Sequence, residues 1–164
     1  MAKIKMYGTQ EYAIKLSKLS TNSQAVAEKA IQEAAGIIAN QVRANIQALP
    51  AVKDIENIKA YKEGRKAHLS IKQKQGLLES LGITPVALDN GFYNAKIGFD
   101  GYNGIRTKKY PKGQPHQLIA RVAESGPTYM DKTPFMRKAL TASRAKALQR
   151  MQEIIDNELE KIMK

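Results

Sequence analysis

Cysteine and histidine, two of the residue types most used in catalysis, are scarce in this sequence. The 164-residue chain contains no cysteine, which excludes disulfides, iron–sulfur clusters, thiolate zinc sites and cysteine nucleophiles. Its two histidines, His68 and His116, lie far apart and have no acidic residue close by in the sequence. We expect His116 to be an exposed loop side chain without a chemical role.

Carboxylates are sparse in the middle of the chain, and the common catalytic motifs are missing. Asp89, Asp100 and Glu124 are the only carboxylates between positions 80 and 130, too few for a cluster of hard oxygen ligands around a divalent ion. The sequence has no phosphate-binding P-loop, no HExxH and no GxSxG, and the segment around Glu124 lacks the first glycine of a nucleophile elbow. We therefore expect no metal, no cofactor and no enzymatic activity.

One segment does carry a chemical pattern, in which cations are interleaved with aromatic residues. Residues 100–116 are rich in glycine and proline, contain Tyr102 and Tyr110, and have no acidic residue after Asp100. The segment is therefore expected to form a long basic loop. Its four cations are Arg106, Lys108, Lys109 and Lys112.

Two interpretations of this loop stay open. It contacts phosphates of nucleic acid, or an acidic protein face, through salt-sensitive point charges, or it is a solvated loop that keeps the protein in solution. Base-specific recognition is not expected, because the sequence has no recognition helix, RNP motif or zinc finger.

Composition sets the broad class of the protein. Hydrophobic residues make up 43% and charged residues 26%, as in globular proteins, and the length predicts a single domain over residues 1–164. The 27 basic against 15 acidic residues give a net charge of +12, spread evenly, which favours an anionic partner. Apolar runs are too short to cross a membrane, and residues 1–5 lack the apolar core of a signal peptide, so we expect a cytoplasmic protein without membrane contact.

Apolar periodicity predicts two helices in the first third of the chain. Tyr12, Leu16 and Leu19 mark a short helix over 9–19, which should end in the polar cluster at 20–23. Thr21 and Gln24 have the spacing of a capping box, so a long, alanine-rich helix should follow and stop at Pro50.

The middle of the chain predicts mixed structure. Residues 51–74 are dominated by cations over a weak apolar rhythm, which indicates either a loosely docked basic helix or a mobile excursion. Residues 75–82 should form one or two helical turns closed by Gly82 as C-cap. A strand pair follows around the hairpin turn at 89–91, and Pro85 should mark its first strand as a sheet edge.

Helical spacing returns near position 118 and breaks at Gly126. Thr133 then provides an N-cap for a last helix over 134–162. Its apolar stripe is expected to exceed what a short hairpin can cover, so the surplus should form a subunit interface. Glu124 should be held by a cationic side chain, Arg121 or Arg137. The interface candidates are Met151, Ile155 and Ile162.

These elements predict an α+β fold with long N- and C-terminal helices packed on a short antiparallel sheet. Four stretches also resemble, in their order and spacing, a phage neck family usually described as putative tail components, head-to-tail joining or tail completion proteins. The stretches are GLLESLGI at 76–83, KIGFDGYN at 96–103, LIARVAESG at 118–126 and TPFMRKA at 133–139. The sharpest residues are Glu124, Gly126, Pro134, Phe135, Met136, Arg137 and Ala139.

The resemblance covers about residues 20–160 and implies a virion structural protein without enzymatic activity. It implies a homo-oligomeric ring, expected to be six-fold, that joins the tail tube to the head connector and touches other neck and tail proteins. Such a subunit would be assembled in the host cytoplasm and end in the virion. The role of the basic loop does not follow from the resemblance; its charge predicts that it faces packaged DNA or an acidic neighbouring ring. A sequence-independent nucleic-acid-binding protein acting alone is the alternative.

Overall fold

The computed structural model describes the backbone of residues 9–163 and their side chains, except those of residues 9–13, 15, 16, 18, 19, 21 and 163. The fold is α+β, as predicted: the long terminal helices pack together and are accompanied by small two-stranded antiparallel sheets. The expectation about residues 1–5 lies outside the described residues, as do the side chains of Tyr12, Leu16 and Leu19. The elements are α1 Thr9–Ala48, α2 Asp54–Lys62, α3 Ile71–Ser80, β1 Leu81–Ile83, β2 Ala87–Asp89, β3 Phe92–Asn94, β4 Ile97–Phe99, α4 His116–Ser125 and α5 Phe135–Met163.

Helix α1 is one continuous helix, so the predicted break at residues 20–23 is wrong. Serine hydroxyls inside a helix can bond to a carbonyl one turn earlier, and the Ser23 hydroxyl donates to the Ser20 carbonyl oxygen at 2.9 Å. The polar cluster is thus compatible with helix and does not cap a new one. The predicted end before Pro50 is confirmed.

Helices α1 and α5 form an antiparallel pair, about 60 Å and 43 Å long at 1.5 Å per residue. Ion pairs join them along the seam: Lys29 to Glu158 and Arg150 to Glu33, each at 2.9 Å. The hydrogen bond from Lys29 holds the pKa of the Glu158 carboxyl below its ordinary value. A lowered carboxyl pKa means that this contact stabilises the fold at neutral pH and is lost as the pH falls through that pKa.

Small side chains on both helices let the backbones approach closely. The buried faces of α1 and α5 include Ala30, Ala34, Ala139, Ser143 and Ala147, and the Ser143 hydroxyl is satisfied by the Ala139 carbonyl. Beyond this seam the apolar core gathers residues from helices, strands and loops. It contains Val42, Ile46, Leu69, Leu77, Leu81, Phe99, Ile119, Ala120, Ala123, Met130, Phe135 and Ala139.

The region 51–74 adopts the helical alternative over Asp54–Lys62 and then an extended segment. Helix α2 is attached through Asn57, whose side-chain amide donates to the His68 carbonyl and accepts from the His68 N–H, at 2.9 and 3.0 Å. The extended segment makes single parallel bridges from Ser70 to Val52 and from Ala67 to Met130. A charged stretch is therefore tied down by backbone bonds on both sides.

Helix α3 begins earlier than predicted, because Ser70 and Gln73 form a reciprocal capping box. The predicted C-cap at Gly82 is wrong: α3 ends at Ser80, and Gly82 lies within β1, opposite Gly98 of β4.

β2 and β3 continue the same hairpin to a turn at Asn90-Gly91, as predicted. Pro85 lies between β1 and β2 rather than in an edge strand, where the strand register shifts by one residue.

Within the residues that the structure describes, no helix has a stretch long and apolar enough to traverse a lipid bilayer.

Candidate functional site: a basic loop and exposed apolar faces

The predicted basic loop is irregular from residue 100 to Pro115, and a buried asparagine holds its base. The Asn103 side-chain oxygen accepts from the N–H groups of Ile105 and Gln114, at 3.0 and 2.9 Å. Gly113 packs so closely that a Cβ there would lie 1.9 Å from the Asn103 carbonyl oxygen, and its φ of +104° is one that other residues rarely adopt. The loop is therefore pinned at its base.

The tip of this loop presents its cations to solvent. A tight turn, in which Thr107 and Tyr110 exchange backbone hydrogen bonds at 3.1 and 3.0 Å, places Lys108 and Lys109 at its apex. The Lys109 ammonium lies 5.6 Å from the centre of the Tyr110 ring. Among the described residues no carboxylate pairs with the four predicted cations, which are Arg106, Lys108, Lys109 and Lys112.

A cleft of about 450 Å³ opens beside the loop, lined by Lys109, Tyr110, His68 and Tyr129 among others. The Asn57 amide in its wall is held by the His68 backbone, to which it donates one hydrogen bond and from which it accepts one. The His68 ring lies 3.7 Å from an Asp131 oxygen, and neither side chain is buried. Within residues 9–163 no group of three or more histidines or carboxylates is placed to hold a metal ion.

His116 corrects an expectation, because it is buried rather than exposed. It begins α4 and is only 8% exposed. Its Nδ1 lies 2.8 Å from the Asp100 carbonyl oxygen, and its Nε2 packs against α3, where a Cβ on Gly76 would approach it to 2.6 Å. The ring therefore joins the base of the loop to α3, which is a structural role.

The prediction that a cationic side chain holds Glu124 is wrong. The contact that Glu124 makes instead explains why it and the residues near 135 occur together. Its carboxylate accepts hydrogen bonds from the backbone N–H groups of Met136 and Arg137, at 2.9 and 3.1 Å. These groups belong to the first turn of α5, whose N–H groups lack partners within the helix. The positive end of α5, rather than the side chain of Arg121 or Arg137, thus holds this anion.

Thr133 was the predicted N-cap of α5, but Glu124 takes that role. The Thr133 hydroxyl instead donates to the Ala123 carbonyl oxygen at 3.1 Å. Helix α5 begins at Phe135, directly after Pro134, and α4 ends at Ser125, which confirms the predicted break at Gly126. Gly126 itself adopts the left-handed conformation. The motif residues near 124 and 135 are therefore two halves of one junction between α4 and α5. Within that junction Phe135 and Ala139 are buried, Met136 is half-buried and Arg137 is exposed.

We expect Glu124→Ala to lower the free energy of unfolding by about 1–2 kcal/mol, because two N–H groups at the start of α5 lose a charged acceptor. Urea denaturation followed by circular dichroism measures this loss. Glu79→Ala is the matched control, since in the described part of the chain the Glu79 carboxylate bonds to the exposed Gln75 side chain and to no backbone N–H group. An equal effect of both substitutions would contradict the capping role.

Among the described residues, large apolar side chains are exposed at several places, and three elements carry two or more of them. On α2, Ile55, Ile58 and Tyr61 are each more than half exposed, and the β2–β3 hairpin exposes Leu88 and Phe92. On α5 the exposed residues are Leu140, Leu148 and Ile155. Patches of this kind on separate elements are typical of surfaces that bind other protein.

The interface candidates named from the sequence lie on the same flank of α5. Ile155 is 38% exposed, and Met151 and Ile162 are half-buried. Sequence reasoning missed Leu140 and Leu148 as surface residues, because a periodic stripe does not reveal which of its members find a partner within the chain. It also missed that Asn103 and Gly113 hold the base of the basic loop. Of these two residues, only the glycine could have been noticed from the sequence.

Comparison with known proteins adds no assignment: no family model matches the chain, and no curated protein or solved structure matches it.

Proposed function

We propose that this chain is a non-enzymatic virion structural protein of a tailed phage or prophage, a neck or tail-completion subunit. Copies of it form a ring, expected to be six-fold, that joins the tail tube to the head connector. The proposal is motivated by the sequence resemblance described above. The structural observation that carries it is the presence of exposed apolar faces on α2, on the β2–β3 hairpin and on α5.

Separate apolar faces are what ring assembly requires. When one patch of a subunit binds a different patch of the next, the contact is heterologous, and the chain of contacts closes into a ring if the rotation allows it. A single-patch surface would instead close as a dimer. The pinned basic loop then supplies complementary charge toward DNA or an acidic neighbouring ring.

Virions purified from cells that produce the encoding phage or prophage test this function. Mass spectrometry should find peptides of this chain in the particles, and mass photometry of assembled complexes should find rings, with about 109 kDa for each ring of six copies of 18.2 kDa. Deleting the chain should leave filled heads without attached tails. Virions that lack the polypeptide and form normally without it would overturn the proposal.

The basic loop favours a second candidate, a sequence-independent nucleic-acid-binding protein. Its exposed cations carry no ion-pair partner in the described part of the chain, and Tyr102, also exposed, adds an aromatic face near them. Point charges beside aromatic rings suit phosphate contact and base stacking without sequence selection.

Replacing both Lys108 and Lys109 with alanine should then weaken binding to a short DNA duplex. We expect the slope of log affinity against log salt concentration to fall by about two, one for each lost phosphate contact. Fluorescence anisotropy at several salt concentrations measures it. The control removes the same charge from α2, through Lys59→Ala with Lys62→Ala, and equal weakening by both pairs would show that net charge rather than the loop binds DNA.

A further inference from the structure

The outer flank of α5 carries a strip of apolar side chains, interrupted by the exposed Arg144, that no described element covers. Leu140, Leu148 and Ile155 are 51%, 55% and 38% exposed. They are spaced by eight and seven residues, close to two helical turns each, and therefore share one face. The exposed part of the strip is about 22 Å long at 1.5 Å per residue.

The charges of α5 are divided between its two halves. From Phe135 to Gln149 the helix has four cations and no anion, whereas from Arg150 to Met163 it has four anions and two cations. The cations of the first half are Arg137, Lys138, Arg144 and Lys146, and no described carboxylate pairs with them.

This division opposes the preference of an isolated helix. Cations are unfavourable near the positive N-terminal end of a helix, yet Arg137 and Lys138 lie in the first turn of α5. In the second half Asp156 is exposed and, within the described part of the chain, has no ion-pair partner. A partner with the reversed order of charges would offset both costs.

We propose that this partner is a second copy of α5, bound antiparallel across a two-fold axis at Leu148. Leu140 lies eight residues before Leu148 and Ile155 seven after it, so Leu140 of each copy faces Ile155 of the other, and Leu148 faces its own equivalent. Lys138 and Asp156 lie on one side of the strip, and the antiparallel register brings them within about 3 Å along the axis. The basic half of each helix meets the acidic half of the other.

Other occupants fit less well. A parallel second copy would place the four-cation halves side by side, at a repulsive cost. The apolar face of α2 runs only from Ile55 to Tyr61, about 9 Å, and is too short for the strip. The two-fold contact leaves the α2 and hairpin faces available for a ring, and it does not depend on the proposed neck function.

The absence of cysteine in the chain makes a disulfide test specific. Leu148→Cys places one thiol at the proposed two-fold axis, and mild oxidation of the full chain should convert it to a covalent dimer on a non-reducing gel. Ala142→Cys is the matched control, because Ala142 is exposed on α5 away from the strip. Cross-linking at position 148 no faster than at position 142 would overturn the proposal.

Analytical ultracentrifugation supplies a second, independent measurement. The wild-type chain should dimerise, and Leu148→Glu should raise the dimer dissociation constant by at least about tenfold. Because Leu148 is exposed in the single chain, the thermal melt measured at a concentration below the dimer dissociation constant should not change. Lys138→Glu should weaken the dimer, and adding Asp156→Lys should restore it. A wild-type chain that stays monomeric at about 100 µM would overturn the proposal, because the strip would then bind another protein. Self-association that Leu148→Glu leaves unchanged would also overturn it, because the chain would then dimerise through a different face.

Discussion

Phe135→Ala is expected to lower the free energy of unfolding by about 3–5 kcal/mol, the largest effect of any substitution considered for this chain. Phe135 is 1% exposed and meets the ring of Phe99 edge to face, with ring centres 6.0 Å apart. Its carbonyl oxygen accepts a hydrogen bond from the Asn45 side chain of α1 at 3.0 Å. Removing the ring leaves a cavity where α1, α5 and the β1–β4 sheet meet, and this junction cannot close without moving α5.

Phe92→Ala provides the comparison, because it removes the same side chain from a position that is 76% exposed. We expect a change of less than about 0.5 kcal/mol there. Urea denaturation followed by circular dichroism, at a protein concentration too low for self-association, measures both. Similar losses for the two substitutions would mean that Phe135 is not the centre of the core.

The long elements were predictable because their signals are local. Helix α5 lies within one residue of its predicted bounds, and α1 ends where Pro50 requires it to end. Proline at a helix boundary and apolar residues at helical spacing act on the backbone nearby, so neither needs knowledge of the rest of the fold.

Short elements were less predictable, since tertiary contacts decide between near-equal local alternatives. The polar cluster at 20–23 suits a cap as well as a helix interior, and Gly82 suits a C-cap as well as a strand. Pairing of β1 with β4 across 16 residues decided the second case. The spacing of residues along a short segment does not show how strongly such long-range strand pairing stabilises one alternative over another.

The same limit applies to the candidate site. The basic loop and its four cations were located from composition alone, but the buried state of His116 was not, because it depends on the approach of Gly76 from α3. The partner of Glu124 was missed for a related reason. A carboxylate can be neutralised by the backbone of another helix, and backbone N–H groups leave no trace in a search for oppositely charged side chains.

Gly126→Ala is expected to lower the free energy of unfolding by about 3 kcal/mol, the second largest effect of the substitutions considered. Gly126 closes α4 with a φ of +62°, and that conformation alone costs another residue about 1–2 kcal/mol. An added Cβ would also lie 2.5 Å from the Cα of Lys132 and 2.7 Å from its backbone nitrogen. The segment that leads into α5 must then shift, and the shift separates Glu124 from the N–H groups that it caps.

Gly36→Ala makes the same chemical change with the opposite expected sign. Gly36 lies inside α1, and an added Cβ there meets nothing within 4 Å. Alanine favours helix over glycine by up to about 1 kcal/mol, so this variant should be more stable than the wild type. Urea midpoints compare the two, and hydrogen exchange at the first turn of α5 should rise in Gly126→Ala alone. A stable Gly126→Ala with protected amides at Met136 and Arg137 would show that the junction adapts, and that the left-handed cap is not what aligns α4 with α5.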